Sequence, residues 1–271
     1  MKNVREPAVA GMFYPASASK LKNDIQLLLD ECKCEEKFQN ILGIVSPHAG
    51  YIYSGRTAAF AYNTVAQNNY NTVVVISPSH REYFPGISIY NGDAYKTPLG
   101  DVPLNKEMIS KLTAESKIIF SGVNGHGAEH AVEVQIPFLQ IVLKDFSIVP
   151  IVMGDQGKLF VDALAQKLAE VIDDKTLIVA SSDLSHFYTK GEADKLDSVI
   201  EKRIADFDYD GLQKDLETRK CEACGGGAIV AMMKTADLLN KKKSKILSRT
   251  DSGDVTGDDS EVVGYLSAVI Y

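Results

Sequence analysis

Val73-Val74-Val75-Ile76-Ser77-Pro78-Ser79-His80 is the stretch on which the reading of this chain turns. Four consecutive aliphatic residues run into small residues, a proline and then an imidazole. An apolar run of this length, bounded by turn-forming residues, reads as a strand buried on both faces. The same construction occurs twice more. Ile41-Leu42-Gly43-Ile44-Val45-Ser46-Pro47 leads to His48, and Leu177-Ile178-Val179-Ala180-Ser181-Ser182-Asp183-Leu184-Ser185 leads to His186. Each run delivers a histidine just past the C-terminal end of a strand, the edge at which α/β folds build their sites. All five histidines of the chain read as turn or loop residues.

Outward from these runs, strand-length apolar segments alternate with helical periodicity. A helix is expected over 55–68, with strands at 73–77 and 86–90. A strand at 147–152, a helix over 158–172 and the strand at 176–181 come next. Helices over 191–205 and 226–240 and a closing, antiparallel strand over 261–270 complete the pattern. This order predicts one α/β domain over residues 1–271, with a largely parallel or mixed central sheet and helices on both faces. Asn91–Leu104 reads as an ordered connection of several turns. The acidic segment Asp251–Glu261 reads as a flexible surface loop or a lid.

Composition narrows the function classes. A net charge of −7 and a pI near 5.3 argue against a nucleic-acid partner, which would need a basic footprint. The start, Met1–Pro7, has no apolar core of a signal peptide, and no apolar run is long enough to span a bilayer. The expectation is a cytoplasmic protein with no membrane partner. In that compartment the close pairs Cys32/Cys34 and Cys221/Cys224 are not disulfide candidates. Cys32 and Cys34 end an amphipathic stretch (Leu21, Ile25, Leu28, Leu29) and read as bystanders.

The chemistry concentrates in a few places. His48 and His80 follow near-identical endings, Ser-Pro and Ser-Pro-Ser, and neutral imidazoles are common metal ligands. Two are too few for a site. Cys224, followed by Gly225-Gly226-Gly227 at an apparent helix start, is a candidate third ligand, and a helix N-terminus would favour its thiolate. Glu222 competes for that place and would make a harder centre. Asp183 lies three residues before His186 and is placed to orient it for proton transfer; the plainer alternative is a helix cap beside a surface histidine. His126-Gly127-Ala128-Glu129-His130 matches the H-x-x-E-H zinc pattern, but Gly127 weakens the helix it needs and Pro137 disturbs its continuation. Glu129, His130 and Glu133 read better as residues that support a site from behind its ligands.

Six segments carry a family resemblance: Ala10–Pro15, Pro47–Tyr51, Ser77–His80, Glu129–Glu133, Ser181–His186 and Cys224-Gly225. In this order the chain resembles the Memo family, called AmmeMemoRadiSam system protein B in prokaryotes. That family is similar in fold to the class III extradiol dioxygenases, LigB-like enzymes with a mononuclear non-haem iron. The resemblance implies His48, His80 and Cys224 as metal ligands and His186, with Asp183, as the acid–base group. It places Phe13, Tyr51, Tyr53 and Ser182 at the substrate pocket. It implies one redox-active ion, iron or copper ahead of zinc, because a thiolate replaces the carboxylate ligand of the dioxygenases. It also implies a small-molecule or peptide ligand, and AMMECR-type and radical SAM partner proteins. Ring cleavage does not follow, because fold does not fix function.

Three functions compete on these residues. The first is a metal-dependent oxidoreductase-like protein. The second is a non-enzymatic module that binds a phosphopeptide or other ligand in the same pocket. The third is a cysteine hydrolase, with Cys224 as nucleophile and His186 as base.

Overall fold

The computed structural model describes residues 3–34, 36–66 and 68–271. The chain opens with a short strand, β1 (Val4–Arg5), and a helix, α1 (Ala18–Glu31). Ser17 caps α1 by accepting from the Lys20 N–H, and Leu21, Ile25 and Leu29 form its buried stripe. Next come β2 (Gly43–Ser46), α2 (Tyr51–Val65), β3 (Thr72–Pro78) and β4 (Ile87–Tyr90). α2 starts four residues before the pattern predicts, directly after Gly50, and Gln67 of the expected range lies outside the described residues. The Asn91–Leu104 connection holds an antiparallel pair, β5 (Ala94–Thr97) and β6 (Gly100–Pro103), and β1 pairs in parallel with β5.

α3 (Lys106–Thr113), β7 (Ile119–Gly122) and α4 (Gln135–Val142) follow. Pro137 falls in the first turn of α4, where its missing N–H leaves no bond unmade, so it does not break this helix. β8 (Ser147–Met153), α5 (Lys158–Val171) and β9 (Thr176–Ser181) match the sequence pattern to within a residue. The C-terminal part comprises β10 (His186–Tyr188), α6 (Lys190–Ala205), α7 (Tyr209–Glu217), α8 (Gly226–Leu238), β11 (Ser244–Asp251), α9 (Gly253–Thr256) and β12 (Val262–Ile270). His186 therefore begins a strand rather than sitting in a loop. Among the described residues, no helix is long and apolar enough to cross a membrane.

The main sheet is mixed, as expected. Its order is β10-β12-β2-β9-β3-β8-β4-β7, with β11 also paired to β12. Its centre, β2-β9-β3-β8, is parallel, and β12 and β4 flank it in antiparallel sense. β2, β9 and β3 are fully buried along their lengths, which is why they read as unbroken apolar runs. Parallel pairing brings their C-terminal ends to one edge. Ser46 is in register with Ser181, and Ile76 with Ala180. The chain after each strand thus enters the same small region.

Helices cover both faces. α2 lies against β2 and β12 with α1 and α4, whereas α8 lies against β9 and β3 with α5 and α7. A β-carbon at Gly43 would run into the Met232 sulfur and come within 2.7 Å of the Ile178 carbonyl. Glycine there lets α8 seat closely on the sheet.

The N-terminal segment is fastened by a buried charge pair that the sequence pattern does not announce. Arg5, on β1, pairs with Glu133, and both are buried. Arg5 also donates to the carbonyls of His126 (2.9 Å), Gly127 (3.1 Å) and Glu129. Glu133 in turn accepts from Ala8 N (2.8 Å), Val9 N (3.0 Å) and the Tyr14 hydroxyl (2.6 Å). Removing one member leaves the other charged and unpaired in the interior, at a cost of about 3–5 kcal/mol. Arg5→Met should lower stability by about that amount, read from the urea midpoint at constant m-value. A loss under about 1 kcal/mol would show that the pair is solvated rather than structural.

Candidate metal centre

His48 Nε2, His80 and Cys224 Sγ present ligand atoms within 4.8 Å of one another. His48 follows β2, His80 follows β3, and Cys224 immediately precedes Gly225 and the start of α8. Gly225 is what admits the thiol. A β-carbon there would strike the Ser181 carbonyl oxygen, so any side chain would push α8 away from β9. Gly225 N donates to Ser182 Oγ (2.9 Å), and Gln156 clamps the same turn through Cys224 O (2.7 Å) and Gly227 N (2.8 Å). Gln156 carries no motif, and nothing in the sequence singles it out.

The tautomers of both imidazoles follow from their partners. His48 Nδ1 is 2.9 Å from Ser181 Oγ. That hydroxyl gives its single proton to Ala131 O (2.7 Å) and accepts from Gln135 Nε2 (2.8 Å). It has only a lone pair left for His48, so Nδ1 carries the proton and Nε2 is free. His48 Nε2 lies 3.2 Å from Cys224 Sγ. Burial, and then the neighbouring His80, hold the His48 pKa well below its usual value. The ring is neutral and ready to ligate.

His80 is set by a carboxylate. Its Nδ1 lies 2.9 Å from Glu129 Oε1 and its backbone N–H donates to Glu129 Oε2 (2.6 Å). Burial by itself would raise the Glu129 pKa. The hydrogen bonds from His80 and from Ala131 outweigh burial and bring it down to about 2. An ionised carboxylate only accepts, so His80 Nδ1 is the donor and Nε2 is again the open atom. Glu129 Oε1 also accepts from His130 N and Ala131 N, both at 2.9 Å. His80, Glu129 and His130 also cluster with ligand spacing, but the Glu129 oxygens are committed to N–H donors.

Asp183 and His186 are placed differently from their expected partnership. Asp183 Oδ1 accepts from His48 N (2.7 Å), and Oδ2 lies 3.9 Å from His48 Nε2. Burial raises its pKa to about 7, against the lowering effect of that hydrogen bond. His186 Nδ1 instead meets its own chain at Leu184 O (2.8 Å). A carbonyl only accepts, so His186 also keeps the proton on Nδ1 and exposes Nε2. Burial lowers its pKa. Cys224 also departs from expectation. Burial first, then the Asp183 charge, push the thiol pKa up, and this overrides the helix N-terminus.

His130 completes a cluster of rings. It stacks on His80 (centroids 4.8 Å, 24°), meets His48 edge-on (5.4 Å) and contacts Phe13 (4.8 Å). Its Nδ1 is buried 3.4 Å from Glu129 Oε1 without hydrogen-bond geometry, and burial brings its pKa to about 4. His126 stands apart. Its Nδ1 meets the Tyr95 hydroxyl (2.6 Å) and its Nε2 the Ser88 carbonyl (3.2 Å), which consumes both nitrogens. The H-x-x-E-H pattern therefore makes no two-histidine ligand pair here. Glu133 faces the N-terminal segment rather than the imidazoles. Glu222 accepts from the Tyr188 hydroxyl (2.8 Å).

A cleft of 520 Å³ opens over the rings, with His130, Asp183 and His186 on its floor. Phe13 and Tyr53 line it, as expected of pocket residues. Tyr51 is turned into the core, where its hydroxyl donates to Val134 O (2.7 Å) and its ring packs on Phe138. Ser182 is fully buried, and its hydroxyl donates to Asp183 O (2.8 Å). Its part is to hold the turn. Cys224 lines a second cavity of 580 Å³ on the α7–α8 side, with Gln213, Arg219 and Glu222, and His186 borders both spaces.

Comparison with known proteins agrees with this architecture. A crystal structure of an uncharacterised protein from Escherichia coli K12 shares the fold, with a TM-score of 0.57 over 85% of this chain and 100% of that one, at 15% identity. A MEMO1 family protein of Thermoplasma volcanium is 37% identical over 270 residues, 98% of each chain. One from Methanosarcina mazei is 36% identical over 271 residues, covering 98% of this chain and 99% of that one. One from Methanocaldococcus jannaschii is 33% identical over 291 residues and the full length of both. The family described as Memo-like protein matches residues 5–269, and the chain belongs to it.

Proposed function

We propose that the chain is a metal-dependent oxidoreductase-like protein in which His48, His80 and Cys224 hold one iron or copper ion. The observation that carries this reading is the pair of fixed tautomers. Ser181 and Glu129 take the Nδ1 protons of His48 and His80, leaving two Nε2 lone pairs beside one sulfur. Outer hydrogen bonds of this kind orient ligating imidazoles in metal sites. Two imidazoles and a thiolate form a soft set that suits copper or iron better than magnesium or calcium. Such an ion, when bound, supplies redox chemistry and an open position for an exogenous ligand.

The protein's own groups do the rest. His186 presents a neutral Nε2 at the cleft floor and accepts a proton from a ligand held there. Asp183 fixes the His48 backbone and limits how far that ring can swing. Phe13 and Tyr53 exclude water from the ligand's apolar part. A cytoplasmic location, and association with AMMECR-type and radical SAM proteins, belong to the same proposal and rest on family membership.

The competing functions fit less well. A cysteine hydrolase needs Cys224 against His186 and Asp183 behind that ring. Cys224 instead meets His48, Asp183 meets the His48 backbone, and the thiol pKa is raised. A phosphopeptide module needs cations, and no Lys or Arg lines the cleft among the described residues.

Protein purified without added metal should carry near-stoichiometric iron or copper by elemental mass spectrometry. Cys224→Ser and His48→Ala should lose it, while His186→Ala keeps it. Full occupancy in Cys224→Ser would remove the thiol from the ligand set. Glu129→Gln tests the tautomer argument separately. It should weaken metal affinity by about 10–100-fold in a chelator competition, with an unchanged circular dichroism spectrum. An unchanged affinity would mean that the Glu129 carboxylate does not prepare His80 for binding.

A further inference from the structure

We infer that the cleft above the histidine rings takes an organic cation, a small amine with an aromatic or aliphatic body, and rejects an anion of the same shape. This deepens the proposed function, on which it rests only for what lies beneath the cleft floor.

The rim is apolar and open. Met12, Ile52 and Phe187 are 73%, 73% and 70% exposed, and Tyr53 is 40% exposed, yet all four border one cleft. Large apolar side chains left in water together mark a surface that is covered in use. Phe187 adds a conformational sign. Its φ of 63° lies in the left-handed region, which is costly for an aromatic residue. The backbone holds that strain while presenting the ring at the mouth. The volume of 520 Å³ suits a small organic molecule.

The sign of the charge comes from how the acidic segment is sorted. Residues 251–261 contain five carboxylates. Lys190 takes three of them, Asp254 at 2.6 Å, Asp251 at 3.3 Å and Asp259 at 3.7 Å. This triple tie, with α9, holds as an ordered wall the segment that reads as a loop or lid in the sequence. The remaining two, Asp258 and Glu261, line the cleft. Among the described residues, the Asp258 carboxylate accepts only from Ser260, through N (2.9 Å) and Oγ (2.6 Å), and the Glu261 carboxylate has no hydrogen bond or ion pair. No Lys or Arg lines the cleft to neutralise them, among the described residues.

The floor does not supply a compensating cation either. No Lys or Arg stands beside His130 and His186 among the described lining residues, and the His186 Nδ1 proton is given to Leu184 O (2.8 Å). Asp183 adds a third carboxyl group there. Phe13, Tyr53, Phe187 and Tyr265 line the cleft, and an ammonium is attracted to aromatic faces as well as to carboxylates. Apolar rim, aromatic walls and uncompensated carboxylates together describe a receptor for an amine.

The test uses two fluorinated probes with one ring and opposite charges, 4-fluorophenethylamine and 4-fluorophenylacetate. Their binding is read by ¹⁹F NMR line broadening, with protein as purified and after metal removal, and metal content is measured separately. In metal-free protein the amine should bind at least about tenfold more tightly, and the preference should shrink with salt. Asp258→Asn with Glu261→Gln should abolish most of the preference, and Glu261→Lys should invert it. Equal or tighter binding of the acid, no binding of either probe, or a preference that survives the double variant would each overturn the inference. A chain that takes up no metal but still prefers the amine would sink the metal reading and leave this one standing. A metal-loaded chain that ignores the amine in both states would do the reverse.

Discussion

A hydroxyl has one proton to give, and Ser181 gives its proton to the Ala131 carbonyl. Everything at the centre depends on that choice. Because the proton is spent, Ser181 can only accept from His48, and the ring is held with its lone pair on the far nitrogen. Gln135 reinforces the arrangement. Its amide nitrogen donates to Ser181 and to Pro47 O (2.9 Å), and its oxygen accepts from the Tyr62 hydroxyl (2.6 Å). Each of these groups is buried. A rotated hydroxyl would leave one of them unsatisfied, which costs about 1–3 kcal/mol. The orientation of one proton is thus fixed by a chain of buried partners rather than by the imidazole itself. On the other side of the centre, Glu129 does the same for His80 with a full charge.

Glu129 and the Ala131 carbonyl that takes the Ser181 proton both come from the stretch between His126 and α4, which has no helix or strand to hold it. The N-terminal segment holds it instead. Arg5 grips three carbonyls of this stretch and the Glu133 carboxylate, and Glu133 grips Ala8, Val9 and Tyr14. The same fastening brings Phe13 over His130 and lets Phe13 O accept from Tyr51 N (2.8 Å), at the start of α2. The loop that orients the imidazoles and the loop that walls the cleft are therefore one mechanical unit. Its buried ion pair is retained at the cost of desolvating two charges, and its return is geometry.

Burial acts on two of the candidate ligands, His48 and Cys224, in one direction, against charge. It keeps His48 neutral, which is the form that ligates, and it keeps Cys224 protonated, which is not. Asp183 strengthens the effect on the thiol. A cation entering such a site would have to displace the thiol proton, whereas His48 would need no change. This asymmetry also explains why the helix N-terminus fails to make Cys224 a nucleophile. The dipole of α8 is opposed by desolvation and by a neighbouring carboxylate, and together they win. The thiol's surroundings are not those of a reactive thiolate.

The sequence was most legible where burial is uniform. β2, β3 and β9 are buried at every position, so nothing but an apolar run was compatible with them, and their boundaries fall where the pattern stops. β6 and β11 escaped because they are edges with partly exposed residues, and β5, although central in its small sheet, because four residues between turns give too short a pattern. The site divided along a similar line. His48, His80 and His186 could be nominated because parallel strands carry their C-terminal ends to one edge whatever the details, and Cys224 because three glycines follow it at a helix start. Which way a side chain turns from that edge is settled by partners distant in sequence. Asp183 left its neighbour His186 for the backbone of His48, and Tyr51 left the cleft for the Val134 carbonyl. Arg5 and Gln156 were invisible for the same reason. Periodicity reports which residues reach a surface, while hydrogen-bond capacity, counted proton by proton in the folded chain, decides what they do there.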